Sequence, residues 1–299
     1  MVAKTKVQIC YRGSLKSCNY SCSYCPFSKR KSSAKELQKD REALFRFVES
    51  IEGPYGHVQA VQIVPYGEAL LHDYYWEALA RLSVTGKMQA VGAQTNGSFP
   101  VEKKLKIYDL AGGNFSKLRL WLSFHPSMTS IEDFLKQCQA LEENSILYCV
   151  GAVGIMENLP LIQQLREKLP EYIYLWINKL DTVKYGTAYK PALDEVEAFS
   201  KVDPYYPLEC RHYPVKPQFC REYAFVEVDG SVKSCNISQS VLGNWYQDEG
   251  EEEIEEINCR KKECNCFLAY CRQRDDEKLR DFGPYPMFRL PASYLSKRR

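Results

Sequence analysis

No run of apolar residues in this chain approaches the ~20 that a bilayer-spanning helix requires, so a helical membrane segment is excluded. Net charge is also scarce. Forty Lys and Arg face 38 Asp and Glu, a formal +2, which argues against nucleic acid or an anionic membrane as an obligatory partner. A secretory signal is missing too: Met1-Val2-Ala3-Lys4-Thr5-Lys6 leads straight into a strand-like stretch, so a cytoplasmic location with reduced thiols is expected. There is no internal repeat of solenoid period. Low complexity is confined to Asp248–Glu256, which reads as a solvated acidic face or as a receiver for a basic peptide. The remaining composition, 45% hydrophobic and 26% charged over 299 residues, suits one substantial core plus a small second unit.

Cysteine is what the chain has in excess, 13 in all. Without an oxidising compartment, such clustering argues for metal rather than disulfides. Cys18-Asn19-Tyr20-Ser21-Cys22-Ser23-Tyr24-Cys25 has the spacing C-x3-C-x2-C. Three thiolates on one short loop can bind three corners of a cubane iron–sulfur cluster, which leaves the fourth iron open to an outside ligand. A structural zinc site wants four ligands, and the one nearby candidate, Cys10, lies inside an apolar strand. Cys138 and Cys149 stand in apolar surroundings and read as buried small hydrophobes. Seven more cysteines follow from Cys210 onward.

Between residues 5 and about 180, strand-like and helix-like runs alternate. Strands are predicted at 7–11, 57–64, 88–95, 118–124, 146–153 and 172–177. Helices are predicted at 34–52, 74–82, 101–110, 130–141 and 159–168, with Leu37, Leu44, Phe45, Phe47 and Val48 near a 3.6 period in the first. Six such units imply an α/β fold with a parallel sheet, and ligands bind at the carboxyl ends of its strands. A connector follows, with a helix near Leu193–Phe199. Tyr223–Lys233 then reads as a hairpin turned at Asp229-Gly230. The expected divisions are residues 1–185, a connector at 186–206, a cysteine-rich unit at 207–275, and a tail at 276–299.

The cysteine loop, with an aromatic before its third cysteine, resembles the signature of the radical S-adenosylmethionine (radical SAM) superfamily. The resemblance implies a partial (β/α)6 TIM-like barrel. It also implies a 4Fe-4S cluster on Cys18, Cys22 and Cys25, with SAM chelating the open iron and yielding a 5′-deoxyadenosyl radical on reduction. Flavodoxin or ferredoxin would be the electron donor. Tyr24 would pack on the adenine. Tyr66-Gly67-Glu68 matches the family's Gly-Gly-Glu motif for the SAM amino group, with Tyr66 replacing the first glycine. Thr95 and Asn96 close the third strand beside the methionine or ribose, and Ser123 and His125 end the fourth. His125 reads as a ribose or carboxylate contact, a substrate-side acid or base, or a polar strand end. Gly151 would let backbone approach adenine, although a tight turn explains it nearly as well. Trp176 and Asn178 end the sixth strand, where a side chain could face substrate.

Cys220 before the hairpin, Cys235 after it, and Cys259, Cys264, Cys266 and Cys271 resemble the twitch form of the SPASM domain, an α+β unit that carries an auxiliary 4Fe-4S cluster. Cys220, Cys235, Cys264 and Cys271 are the preferred set, with Cys266 close behind and Cys259 and Cys210 weaker. Zinc is the competitor, since thiolates serve either metal. The stretch Tyr11–Cys18 with Pro26-Phe27 looks most like a bacterial group without an assigned substrate. Peptide or protein modification is the leading expectation. With strand one expected inside the first ten residues, a peptide substrate would need a separate recognition protein or a leader-free mode. A small-molecule alcohol dehydrogenase and a non-catalytic iron–sulfur subunit are the alternatives.

Overall fold

The computed structural model describes residues 7–25, 27, 30–53, 55–180, 191–214, 223–235, 241–247, 263–264, 268–272 and 277–298. They fall into two compact units interleaved along the chain.

The first unit takes residues up to Asn19, 27–120 and 216–260. Its strands β1 (Gln8–Arg12), β2 (Ala60–Ile63) and β3 (Ala90–Thr95) pair in parallel, with Ile9 beside Val61 and Val61 beside Val91. β1 and β2 are buried along their whole length and β3 at all but Gln94, as expected of parallel strands covered on both faces. Helices α1 (Ala34–Glu52), α2 (Asp73–Val84) and α3 (Val101–Leu110) supply the cover. Ser33 and Glu36 close a capping box at the start of α1, and Leu44, Phe47, Val48 and Ile51 form its buried stripe.

The second unit takes residues 20–26, 121–215 and 261–299. Strand β4 (Leu118–Phe124) starts in the first unit and ends in this one. The unit continues with α4 (Ile131–Glu143), β5 (Leu147–Gly154), α5 (Leu159–Lys168), β6 (Leu175–Lys179), α6 (Leu193–Ser200) and α7 (Tyr206–Cys210). β5 and β6 are parallel, with Gly151 beside Trp176. The Ser130 hydroxyl caps α4 by accepting from Asp133 N. Strand six begins later than its apolar run predicts. Ile173 N is turned back to Pro170 O, and Asp203 binds both the Tyr174 hydroxyl and Ile177 N, so burial there precedes strand geometry.

The hairpin forms as predicted. Gly230, at φ +88°, makes a turn that favours glycine, between β7 (Tyr223–Glu227) and β8 (Ser231–Lys233). Its place differs from the expected second unit. β7 pairs in parallel with β1, Ala224 beside Ile9, so the hairpin extends the first unit's sheet. The physical cause is β1's free edge, which the buried Tyr223–Val226 stretch covers. No helix among the described residues is long and apolar enough to cross a membrane.

Candidate active site

The first unit builds its part of the site around the approach to Cys18. After β1 the chain turns at Gly13-Ser14, where the Ser14 hydroxyl donates to Asp40 of α1 (2.9 Å). The buried Asp40 carboxylate also accepts from the hydroxyls of Tyr74 and Tyr75 at 2.9 and 2.7 Å. Leu15 is buried beside this anchor in sequence. The Ser17 carbonyl then accepts from Glu68 N at 2.8 Å. That approach needs a glycine at 67, where a Cβ would lie 2.1 Å from the Ser17 oxygen.

Glu68 is a buried strap. One carboxylate oxygen accepts from Leu70 N (3.1 Å) and the Thr95 hydroxyl (2.7 Å), the other from Asn96 N (2.6 Å). Burial pushes its carboxyl up, and these three donors pull against it. Lone pairs remain, so the carboxylate can still receive a cation. Asn96 Nδ2 donates to Asn19 Oδ1 (2.9 Å) and lies 4.0 Å from Cys18 Sγ. Asn19 in turn donates to the Ser98 hydroxyl at 2.9 Å. Gly97, at φ +72°, makes this turn possible. Thus Gly67, Glu68, Thr95 and Asn96 come together beside Cys18. Asn19, Ser98 and Asp40 were missed in the sequence, although Asn19 lies inside the motif. Tyr66 meets Phe27 edge-on (5.4 Å), and the Arg12 guanidinium covers both rings at 5.0 and 5.7 Å.

The second unit carries Cys22 and Cys25, joined in a turn by Cys25 N donating to Cys22 O. Here Tyr24 meets His125, with the phenol oxygen 2.7 Å from Nδ1 and the rings stacked at 5.9 Å. Tyr20 packs edge-on to the same imidazole. His125 is only half-buried as a residue, but its ring is enclosed by these aromatics. Burial pulls its pKa down to about 4, so the ring is neutral near pH 7 and shares a hydrogen bond with the Tyr24 hydroxyl through Nδ1. The sign follows: stability tied to the neutral ring is complete above the ordinary value near 6.5 and falls as pH drops towards about 4. In histidine NMR titrations of the cluster-free chain, the His125 ring is expected to stay neutral through pH 5.5. His125→Gln should remove that resonance; a ring at 125 that titrates near 6.5 would refute the enclosure.

Ser123, buried, precedes His125 by one strand repeat and shares its face. Asn178 donates to Glu209 Oε1 at 2.9 Å. Glu209, from α7, is a buried acid that the sequence reading missed, and burial lifts its pKa to about 7. Gly151 has its open side covered by the Trp121 indole, and Trp176 is enclosed by Tyr270 and Phe282.

No group of three His, Cys, Asp or Glu among the described residues is arranged to hold a metal ion. The cysteine loop's donor set, three thiols with two partly exposed, suits iron or zinc by chemistry. Cys220, Cys266 and Cys259 lie outside the described residues. Cys235 follows the hairpin in the first unit. Cys264, on the short strand β9 (Glu263–Cys264), and Cys271 belong to the second.

No protein-family model matches the sequence. No curated protein matches it either. Solved structures do. The chain is similar to native anSMEcpe with bound AdoMet, at 16% identity over 80% of this chain and 78% of that one, with a TM-score of 0.53. It is also similar to native anSMEcpe with bound AdoMet and Kp18Cys peptide, at 15% identity, 80% and 78% coverage, and a TM-score of 0.52. At such identities the likeness is one of fold: parallel strands alternating with helices.

Proposed function

We propose that this chain is a radical SAM enzyme acting on a peptide or protein. Cys18, Cys22 and Cys25 would ligate three irons of a 4Fe-4S cluster, the loop gathering on loading as metal sites commonly do. When bound, such a cluster supplies the electron that splits the SAM sulfonium to methionine and a 5′-deoxyadenosyl radical. The carrying observation is the docking of Ser17 on Gly67-Glu68 and of Asn19 on Asn96, which fixes the start of a C-x3-C-x2-C loop beside a buried carboxylate. That carboxylate and the nearby carbonyls suit the SAM ammonium, and the Asn96 amide beside Cys18 would tune a thiolate ligand. In the second unit Tyr24 offers a ring face for adenine and His125 a neutral imidazole for the ribose or carboxylate. Fold likeness to a structure with AdoMet and a peptide bound supports the substrate class. An auxiliary cluster on Cys220, Cys235, Cys264 or Cys266, and Cys271, would take up the second electron, and a flavodoxin or ferredoxin would supply the first.

Anaerobically reconstituted protein with dithionite and SAM is expected to release 5′-deoxyadenosine. With a candidate peptide encoded beside it, a mass loss of two hydrogens is expected. Failure to form 5′-deoxyadenosine would sink the reaction class, and an unchanged peptide mass would sink the substrate class alone.

A further inference from the structure

The second unit buries a cation, Arg289, whose Nε and Nη2 meet no carboxylate oxygen at hydrogen-bond distance among the described residues, although Glu209 lies in its field. Arg289 is fully enclosed and holds φ at +54°, a left-handed backbone costly for a residue other than glycine. The turn Pro286–Phe288 delivers it, and the Cys149 thiol fixes that turn by donating to the Phe288 carbonyl. The guanidinium carbon lies 3.6 Å over the Trp121 ring and 5.0 Å from that of Trp176. Gly151 makes room, since a Cβ there would meet Trp121 Nε1 at 2.0 Å. Stacking of this kind offsets about 2 kcal/mol, whereas burying an ion costs several.

The unmet groups are of one kind. Arg289 Nε and Nη2, which form one edge of the guanidinium fork, have no hydrogen-bond partner among the described residues. Neither do Trp121 Nε1 or Trp176 Nε1. Guanidinium and indole nitrogens can only donate, so what is wanted is an acceptor, and the free edge matches a carboxylate held by two parallel bonds. One orphan acceptor completes the set: Glu209 Oε2, whose partner oxygen is taken by Asn178. An occupant that were only an anion would be repelled by Glu209, so it must also bring a donor.

We propose that Arg289, Trp121 and Trp176 form an internal site for a carboxylate carrying a neighbouring N–H, as at the C-terminal residue of a peptide or in an amino acid, with the N–H directed to Glu209. The occupant's identity as substrate rests on the peptide reading above; the site itself does not. Unreduced, reconstituted full-length chain would be titrated with N-acetylglycine, glycine, acetate and N-acetylglycinamide, read by tryptophan fluorescence and calorimetry. N-acetylglycine is expected to saturate in the millimolar range or tighter, while the amide, its carboxylate blocked, does not bind. Arg289→Lys should weaken binding by roughly tenfold, because an ammonium lacks the fork. Glu209→Gln should erase the advantage of N-acetylglycine over acetate. Tighter binding of glycine would point to a free amino acid, tighter binding of N-acetylglycine to a peptide end, and both support the site. Absence of any saturable carboxylate response overturns it, as does equal binding by Arg289→Lys. An Arg289→Met chain that is more stable and unresponsive would show that the guanidinium merely fills the core; if that chain does not fold, the lysine variant and the amide probe carry the test. No arm reads SAM cleavage, so the two proposals fail separately.

Discussion

Single alanine substitutions at Cys18, Cys22 and Cys25 are each expected to abolish SAM cleavage and strip iron from the amino-terminal loop. An open-iron cubane has no ligand to spare: with two thiolates left, neither the geometry nor the charge of the core is held. Cys10→Ala, in buried β1, is the control, since that thiol lies inside the sheet and should leave iron content unchanged. The measurements are iron and sulfide content, the visible absorption of the reconstituted protein, and 5′-deoxyadenosine formation. Zinc in the loop of anaerobically purified protein would refute the assignment, as would iron content indifferent to all three substitutions. Any auxiliary cluster would keep part of the colour, so the decisive reading is SAM-dependent change in the electron paramagnetic resonance signal.

Gly67→Ala is expected to have the second largest effect, although glycine 67 bears no chemistry. The added methyl would lie 2.1 Å from the Ser17 carbonyl oxygen and 2.8 Å from that residue's carbonyl carbon and nitrogen. These atoms are backbone, so no side chain can swing aside, and the Glu68 N to Ser17 O bond must break. Overpacking of this kind costs about 1–3 kcal/mol and sometimes more, and here the displaced residue directly precedes Cys18. Both thermal stability and iron loading should fall. Gly112→Ala is the comparison: at φ +77°, with nothing within 4 Å, it carries backbone strain alone, about 1–2 kcal/mol, and should load iron normally. Equal loading in both variants would show that the loop is not seated on residue 67.

Helices α1, α3 and α5 and strand β4 were legible with their bounds, because a capping box opens α1, Pro160 stands in the first turn of α5, and buried apolar residues mark α3 and β4. Strand six was not, because burial of Ile173 and Tyr174 by Asp203 and neighbouring rings imitates a strand in the sequence. Gly67, Glu68, Thr95 and Asn96, which the resemblance placed after the second strand and at the end of the third, lie together through hydrogen bonds of Glu68 to Thr95 and Asn96. Asp40, Glu209 and Arg289 left no signal, since a buried charge is recognisable only through partners distant along the chain.

By itself the sequence determined the cysteine spacing, the alternation of strands and helices, and hence the class of chemistry the loop can support. Those properties are local: they depend on residues within one turn, one strand or one helix face. The tertiary structure alone decided that the late hairpin joins β1, that Glu68 ties the ends of two strands, and that Arg289 is buried against Trp121. Such contacts join segments tens to hundreds of residues apart, and their worth is set by burial, which no stretch of sequence records.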